Sequence, residues 1–184
     1  IGLVQLENIE EVLATYIANG QYLDKYLQGI EGVDIIGFYD PNDQNAQDAV
    51  EKFGLKRYAD MHTLIDDVDA IDVITPTQFH FPVCEAALRK SKHVFVEKPL
   101  ALNLGELDQI IEATEKSKKT VTVGFNRRFA PLAVKMKTLL GNSGSPMNII
   151  ATMNAGFIPG SVWVHDMEVG GGRIIGEEIG RAHV

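Results

Sequence analysis

Charged residues stand directly after two apolar runs of this sequence, at positions that could bind a ligand. Asp40 follows the run 33–39, and Glu97 and Lys98 follow the run 94–96. In open parallel sheets, ligands bind outside the carboxyl ends of the strands. An aspartate there can accept hydrogen bonds from ribose hydroxyls and disfavours a 2′-phosphate, whereas charged side chains at the rim would face a nicotinamide. If these runs are parallel strands, the sequence predicts a dinucleotide-binding edge.

Three further groups of residues could bind a ligand. Arginines after a strand can hold a phosphate or a polyol, and a tryptophan near a histidine can line a pocket. A glycine triplet forms a flexible turn. The groups are Thr75, Pro76 and Thr77 with His80 one helical turn on, Asn126 with Arg127, and Trp163 with His165 before the glycines 170–172.

Each of these groups also has an ordinary structural interpretation. An aspartate before proline is often a turn or helix-cap residue, and a lone glutamate–lysine pair is more often a surface ion pair. A short polar segment after a strand is commonly a turn, and arginines commonly solvate the start of a helix. A histidine–aspartate pair is more often a structural hydrogen bond than a catalytic couple. Only their combination at one edge would distinguish a binding site from these alternatives.

The order of the apolar runs predicts the elements that would position these residues. Short β-rich runs alternate with helical patterns, which is typical of a parallel sheet with crossover helices. We predict strands over 1–4, 33–39, 70–75, 93–96 and 120–124, a short edge strand over 56–58 and a long strand over 147–154. Helices are predicted over 42–53, 61–67, 79–89 and 131–140, the first ending at Gly54, and a capping box of Asn103 and Glu106 starts another.

This pattern predicts an α/β fold, with a Rossmann-type doubly wound parallel sheet followed by the truncated start of an α+β substrate domain. We place the dinucleotide-binding domain at residues 1–125 and the incomplete second domain at 126–177. The last six residues, 179–184, read as the translation of a common sequencing-adapter sequence, with Glu178 as the junction, so the tail covers 178–184. We therefore expect a non-native tail there, and a fragment that is inactive by itself.

Composition argues against several classes of partner. The 184 residues carry 17 Lys and Arg against 25 Asp and Glu, a formal net charge of −8, which disfavours nucleic acid and anionic membranes. No apolar run approaches the ~20 residues that span a bilayer, and no secretion signal is visible. The single cysteine, Cys84, excludes an internal disulfide, is expected in the core and favours a reducing compartment such as the cytoplasm. We expect no metal site.

Taken together, these segments resemble the glucose–fructose oxidoreductase / inositol dehydrogenase family (Gfo/Idh/MocA). The resemblance covers about residues 32–177, and its most specific part is Glu97-Lys98-Pro99. It implies hydride transfer between a nicotinamide and the hydroxyl-bearing carbon of a sugar or polyol, in a parent protein that we expect to be a homo-oligomer. The matching segments are Asp40-Pro41, Thr75-Pro76-Thr77 with His80, and the runs 93–100, 124–129 and 170–177.

The resemblance also implies roles for residues of this sequence. Asp40 would bind the adenosine ribose and favour NAD over NADP. Lys98 would be the catalytic residue, hydrogen-bonding the substrate hydroxyl and helping to deprotonate it, and its bond to Pro99 is often cis in this family. The cofactor-binding set would be Asp40, Thr75, Pro76, Thr77, His80, Glu97, Lys98 and Asn126, and the substrate-binding set would be Lys98, Arg127, Trp163 and His165.

Two departures from the family pattern bear on activity. No G-x-G-x-x-G run follows the first predicted strand, where it would let the chain approach a pyrophosphate. Gly180 stands where the family usually has a histidine acid–base partner, and Gly176 stands where many members have an aspartate. Two other functions stay open on this sequence. They are a glycosidase that uses tightly held NAD for transient oxidation and a non-catalytic dinucleotide-binding regulator.

Overall fold

The computed structural model describes residues 33–141, 150 and 156–172. The predictions for the opening strand 1–4, the glycine-rich run, the tail 178–184 and almost all of the strand 147–154 lie outside these residues. The strands are β1 (Ala70–Val73), β2 (His93–Glu97) and β3 (Val121–Gly124). The helices are α1 (Asp43–Phe53), α2 (Met61–Asp67), α3 (His80–Arg89), α4 (Leu104–Ser117) and α5 (Pro131–Leu140). Short 3₁₀ turns cover Thr77–Phe79, Asn126–Phe129 and Trp163–His165.

The sheet in this part of the chain is parallel, with the strand order β1–β2–β3. Helix α3 connects β1 to β2 and helix α4 connects β2 to β3, as parallel neighbours require. The strands predicted over 70–75, 93–96 and 120–124 are confirmed, with ends that differ by at most two residues. Antiparallel pairing among them, which would have contradicted the predicted fold, does not occur.

Helix α1 begins and ends where the sequence predicts. The side chain of its N-cap, Asn42, accepts a hydrogen bond from the backbone N–H of Asn45 at 3.0 Å. Gly54 ends the helix with φ of 65°, a left-handed conformation that favours glycine. The helices predicted over 61–67, 79–89 and 131–140 form with bounds that differ by no more than one residue.

Helix α4 starts with the predicted cap, but the second half of the capping box is shifted by one residue. The Asn103 side chain accepts from the backbone N–H of Glu106 at 3.0 Å. The Glu106 carboxylate reaches back to the N–H of Leu102 at 2.9 Å, whereas a standard capping box would use that of Asn103. The cap therefore also fixes the loop between β2 and α4, which carries part of the site.

The core lies between the sheet and the two crossover helices. Helix α3 packs against both α4 and β2. Cys84 is buried in this cluster, as the sequence predicts for a small apolar side chain. Each large apolar side chain buried here contributes about 1.5–3 kcal/mol relative to exposure. The cluster consists of Ile65, Val73, Cys84, Ala87, Leu88, Val94, Val96 and Ile110.

The prediction of a full strand over 33–39 is wrong. Only one parallel bridge forms, between Phe38 and Arg57. The N–H of Phe38 donates to the carbonyl of Lys56 at 2.9 Å, and the N–H of Tyr58 donates to the carbonyl of Phe38 at 2.8 Å. A strand requires a longer ladder of such bonds, and within the described residues this segment pairs only with the stretch 56–58. That stretch was predicted as a short edge strand, and it too is reduced to the bridge.

None of the described helices is long and apolar enough to cross a membrane. Helix α5 does carry exposed apolar side chains, with Leu132 and Leu139 exposed by 80% and 76%, but it is only 10 residues long. Nor do the described residues bring together three His, Cys, Asp or Glu side chains that could hold a metal ion.

Candidate functional site

The carboxyl ends of the three strands lie level with one another. Val73 pairs with Val96, and Glu97 pairs with Gly124. Because the strands are parallel, the segments that follow them leave the sheet at one edge. We call these segments, residues 74–80, 97–99 and 124–127, the carboxyl edge. Most of the predicted site residues lie on it.

Glu97, the last residue of β2, is fixed through both of its carboxylate oxygens. Oε1 accepts a hydrogen bond from Asn126 Nδ2 at 3.0 Å, and Oε2 accepts from the backbone N–H of Lys98 at 3.2 Å. Burial raises the pKa of the Glu97 carboxyl, while these two hydrogen bonds and the charge of Lys98 oppose the rise. Glu97 therefore links the end of β2 to the segment that follows β3.

His80, the first residue of α3, ties two other segments of the carboxyl edge together. Its Nδ1 lies 2.7 Å from the carbonyl oxygen of Pro99, and its Nε2 lies 2.8 Å from that of Thr75. The side chain is 1% exposed. Because both partners are carbonyl oxygens, which only accept, the ring nitrogens are engaged by the protein backbone. Any effect of His80 on cofactor binding therefore acts through the position of the turn that holds Pro99.

Lys98 lies in a turn that is anchored on two sides. The Lys98–Pro99 peptide bond is cis, which confirms the expectation drawn from the family resemblance. Pro99 is buried and its carbonyl oxygen contacts His80, whereas the backbone N–H of Lys98 contacts Glu97. Lys98 itself is half-buried. The anchor at His80 depends on a residue 19 positions from Pro99, so the local sequence pattern does not predict it.

The carboxyl edge also offers apolar surface. Ile74, directly after β1, is 44% exposed, and Thr75 and Pro76 are exposed beside it, whereas Thr77 is 4% exposed. At the end of β3, a Cβ on Gly124 would lie 3.4 Å from the ring of Phe95. Exposed apolar surface next to a few fixed polar groups is typical of small-molecule sites.

Asp40 belongs to a second group of polar contacts, beyond the bridge residue Phe38. Its Oδ1 accepts from the backbone N–H of Asn42 at 2.7 Å, which orients the carboxylate. Arg57 Nη2 donates to the carbonyl oxygen of Asp40 at 3.0 Å and to Asp43 Oδ1 at 2.6 Å. Arg57, which lies 17 residues from Asp40, was not among the predicted site residues. The parallel bridge between Phe38 and Arg57 brings the two together, and the predicted edge strand 56–58 was the signal that could have indicated it.

Part of the segment 156–172 contacts the carboxyl edge. The backbone N–H of Gln78 donates to the carbonyl oxygen of Val169 at 3.1 Å. The Asp166 carboxylate accepts from the N–H groups of Glu168 and Val169 at 2.8 and 3.1 Å, so it closes a turn. The glycines 170–172, which follow this turn, are buried. The glycine triplet therefore packs against the protein.

Three predicted substrate residues remain, one on the carboxyl edge and two in the segment 156–172. Arg127 is half-buried in the turn Asn126–Phe129, next to Asn126. His165 has a buried Nε2 for which no hydrogen-bond partner occurs among the described residues. Such an atom is normally satisfied by a ligand, a water or another residue. Trp163 lies in the same 3₁₀ turn as His165.

Comparison with known proteins identifies the family of this chain. A family model for the Gfo/Idh/MocA oxidoreductases, described as an oxidoreductase family with an NAD-binding Rossmann fold, matches residues 14–125. The match spans more than half of the chain. This chain belongs to the Gfo/Idh/MocA family. The resemblance inferred from the sequence motifs is confirmed, and so is the predicted α/β fold with a Rossmann-type parallel sheet.

Relatives within the Gfo/Idh/MocA family include two inositol dehydrogenases. The chain is 38% identical over 119 residues to myo-inositol 2-dehydrogenase of Thermotoga maritima, covering 63% of this chain and 36% of that protein. It is 33% identical over 135 residues to inositol 2-dehydrogenase of Salmonella paratyphi B, covering 70% and 40%. A crystal structure of a probable dehydrogenase from Thermotoga maritima superimposes with a TM-score of 0.69 and 28% identity, over 88% of this chain and 49% of that one. The chain thus spans less than half the length of these relatives.

Proposed function

We propose that this chain forms the dinucleotide-binding part of an NAD(P)-dependent oxidoreductase acting on a sugar or polyol. The reaction would be hydride transfer between nicotinamide and a carbon that bears a substrate hydroxyl. Similarity to two inositol 2-dehydrogenases supports a polyol substrate. Membership in a family with an NAD-binding Rossmann fold supports the cofactor.

The observation that carries this proposal is the anchoring of the Lys98 turn at the carboxyl edge. His80 connects Pro99 to the end of β1, and Glu97 connects the N–H of Lys98 to Asn126, beyond the end of β3. A lysine in a solvated surface loop needs no such support. A lysine that must meet a substrate hydroxyl does, because a displacement of about 1 Å from the productive geometry can lower the rate 100-fold.

The protein's task is to orient the reactants and to manage the proton of the substrate hydroxyl. The cofactor, when bound, accepts or returns the hydride. Lys98 would hydrogen-bond the hydroxyl and help to remove its proton as the carbonyl forms. Glu97 and Asn126 would hold the edge at the nicotinamide, and Arg127 would contact substrate oxygens beside it.

We further propose that the cofactor is NAD in preference to NADP. Asp40 would accept hydrogen bonds from the ribose hydroxyls, and its negative charge would repel a 2′-phosphate. The orientation of its carboxylate by the N–H of Asn42 supports this role.

We also propose a domain boundary at residue 125, with substrate-binding residues in 126–177. The family match ends at residue 125, which supports the boundary. Contact between Gln78 and Val169 supports a second segment that closes over the carboxyl edge. Trp163 and His165 would then contribute to the substrate pocket.

Two lysine variants test the proposed reaction. Their steady-state kinetics are compared in a protein that contains this chain and oxidises a polyol. Lys98→Ala should lower kcat by roughly 10²–10⁴ and change the apparent affinity for NAD much less. The control is Lys116→Ala, because Lys116 forms an exposed ion pair with Glu112 at 2.6 Å on α4. Such a pair is worth under ~1 kcal/mol and should leave turnover intact.

Near-normal turnover of Lys98→Ala would show that Lys98 is only a surface charge, and the proposed role would be wrong. Release of a leaving group from a glycoside without net NADH formation would instead support the NAD-dependent glycosidase. Dinucleotide binding without any substrate-dependent change at the NADH absorbance band would support the regulator.

A further inference from the structure

Arg57 places a positive charge at the position where the sequence alone indicated only an acid. Its Nη2 is 3.0 Å from the carbonyl oxygen of Asp40 and 2.6 Å from the carboxylate of Asp43. The Arg57 side chain is 32% exposed and that of Asp43 is 91% exposed. The guanidinium is therefore accessible to a ligand that approaches Asp40 from solvent.

The two kinds of charge have opposite effects on cofactor choice in Rossmann folds. An acid at the end of the second strand binds the ribose hydroxyls of NAD, whereas a nearby arginine accommodates the 2′-phosphate of NADP. Guanidinium groups bind phosphate well because their planar set of N–H donors can form two parallel, charge-assisted hydrogen bonds. This chain has both the acid, Asp40, and the arginine, Arg57.

We infer that Arg57 is a cofactor-specificity residue that forms a latent site for the 2′-phosphate of NADP, and that Asp43 keeps this site closed by pairing with Arg57. The inference rests on the proposed function, since it takes Asp40 as the ribose-binding acid. Asp43 acts in two ways. It occupies Nη2 of the guanidinium, and its own negative charge repels a phosphate dianion.

Replacement of the Asp43 side chain should leave the fold intact. It is the first residue of α1, and the cap of that helix is provided by Asn42. An acid in the first turn is worth about 0.3–1 kcal/mol through the helix dipole, so its loss leaves most of the stability of a typical domain. The contact of Arg57 with Asp40 uses the backbone carbonyl, so it does not require the side chain at 43.

The experiment measures the dissociation constants of NAD⁺ and NADP⁺ by isothermal titration calorimetry on the 184-residue chain. The variants are Asp43→Ala, Asp43→Asn and the double variant Asp43→Ala/Arg57→Gln. Asp43→Ala should bind NADP⁺ about tenfold more tightly than the original chain, the gain of one charge-assisted hydrogen bond, and bind NAD⁺ within about twofold. The double variant should lose that gain.

The matched control is Glu51→Ala. Glu51 also lies on α1 and contacts only Gln47 among the interactions described for it, so its removal changes the net charge by the same amount. It lies eight residues beyond Asp43, about 12 Å along the helix, which exceeds the Debye length of about 10 Å at 0.1 M salt. Glu51→Ala should therefore change neither dissociation constant.

Three outcomes would contradict the inference. An unchanged ratio of NADP⁺ to NAD⁺ affinity in both Asp43→Ala and Asp43→Asn would show that Asp43 does not control Arg57. A gain that survives in the double variant, or that Glu51→Ala reproduces, would show that the effect is one of net charge. If the original chain bound neither dinucleotide, the proposed function would fail and the inference with it, whereas NAD⁺ binding with either of the first two outcomes would refute the inference alone.

Discussion

His80 offers the sharpest test of how the carboxyl edge is held together. Replacement of His80 by Ala removes both ring nitrogens from the carbonyl oxygens of Pro99 and Thr75, which lie 2.7 and 2.8 Å away. The contact between His80 and Pro99 is closed to solvent, since His80 is 1% exposed and Pro99 is buried. The substitution therefore leaves at least one buried acceptor without a donor, and a void where the ring was.

The expected loss of stability follows from these contacts. A buried acceptor left without a partner costs about 1–3 kcal/mol. The Pro99 carbonyl belongs at the upper end of this range, and the Thr75 carbonyl, which lies in an exposed residue that water can reach, belongs at the lower end. Counting one of these acceptors and adding about 1 kcal/mol for the lost packing of the ring, we expect His80→Ala to lower the free energy of unfolding by about 2–4 kcal/mol.

The assay is urea denaturation followed by circular dichroism, with His62→Ala as the control. His62 is exposed on α2, and its backbone carbonyl, which alanine retains, accepts a hydrogen bond from Lys90. The control should stay within about 0.5 kcal/mol of the original chain, as is usual for surface substitutions. A His80→Ala variant as stable as this control would refute the claim that His80 anchors the turn.

Three further outcomes are expected. Burial raises the pKa of Glu97 above its ordinary value of 4.5. The stability that this shift contributes is therefore present below pH ~4.5, and it is lost as the pH rises through the pKa of the folded state. Glu97→Gln should therefore gain stability relative to the original chain as the pH rises above about 4.5 in urea titrations. Burial raises the pKa of the Cys84 thiol to about 12, so iodoacetamide should not label the folded chain at pH ~8 and should label it once urea unfolds it. A Cβ on Gly37 would overlap the carbonyl oxygen of Lys56, so Gly37→Ala should lower the free energy of unfolding by about 1–3 kcal/mol, measured by the same denaturation.

Local patterns in the sequence predict most of the described elements. Helix α1 depends on its cap Asn42 and its terminator Gly54, and both are read directly from residue type. The strands β1 to β3 follow from short apolar runs between helical patterns. The failure at 33–39 has a different origin, because a strand exists only where a partner completes its hydrogen bonds.

The candidate site was predicted by residue type, whereas its connections were not. The sequence identifies Glu97, Lys98, Asn126 and His80 as members of one edge, because each stands beside a strand end. It does not show that Glu97 bonds to Asn126, 29 residues away, or that His80 bonds to Pro99, 19 residues away. Such pairs depend on strand register and helix packing, for which the local sequence holds no signal. Arg57 differs, because pairing of the predicted edge strand 56–58 with the segment 33–39 could have indicated its place beside Asp40.

The central claim is that the carboxyl edge binds a nicotinamide dinucleotide, and hydrogen–deuterium exchange with NADH tests it most directly. The 184-residue chain is exchanged with and without NADH, and the protection of peptides is compared along the sequence. We predict slower exchange in residues 74–80, 97–99 and 124–127, and unchanged exchange at the C-terminal end of α4, near Ser117. Protection confined to other parts of the chain, or no change at saturating NADH, would contradict the account.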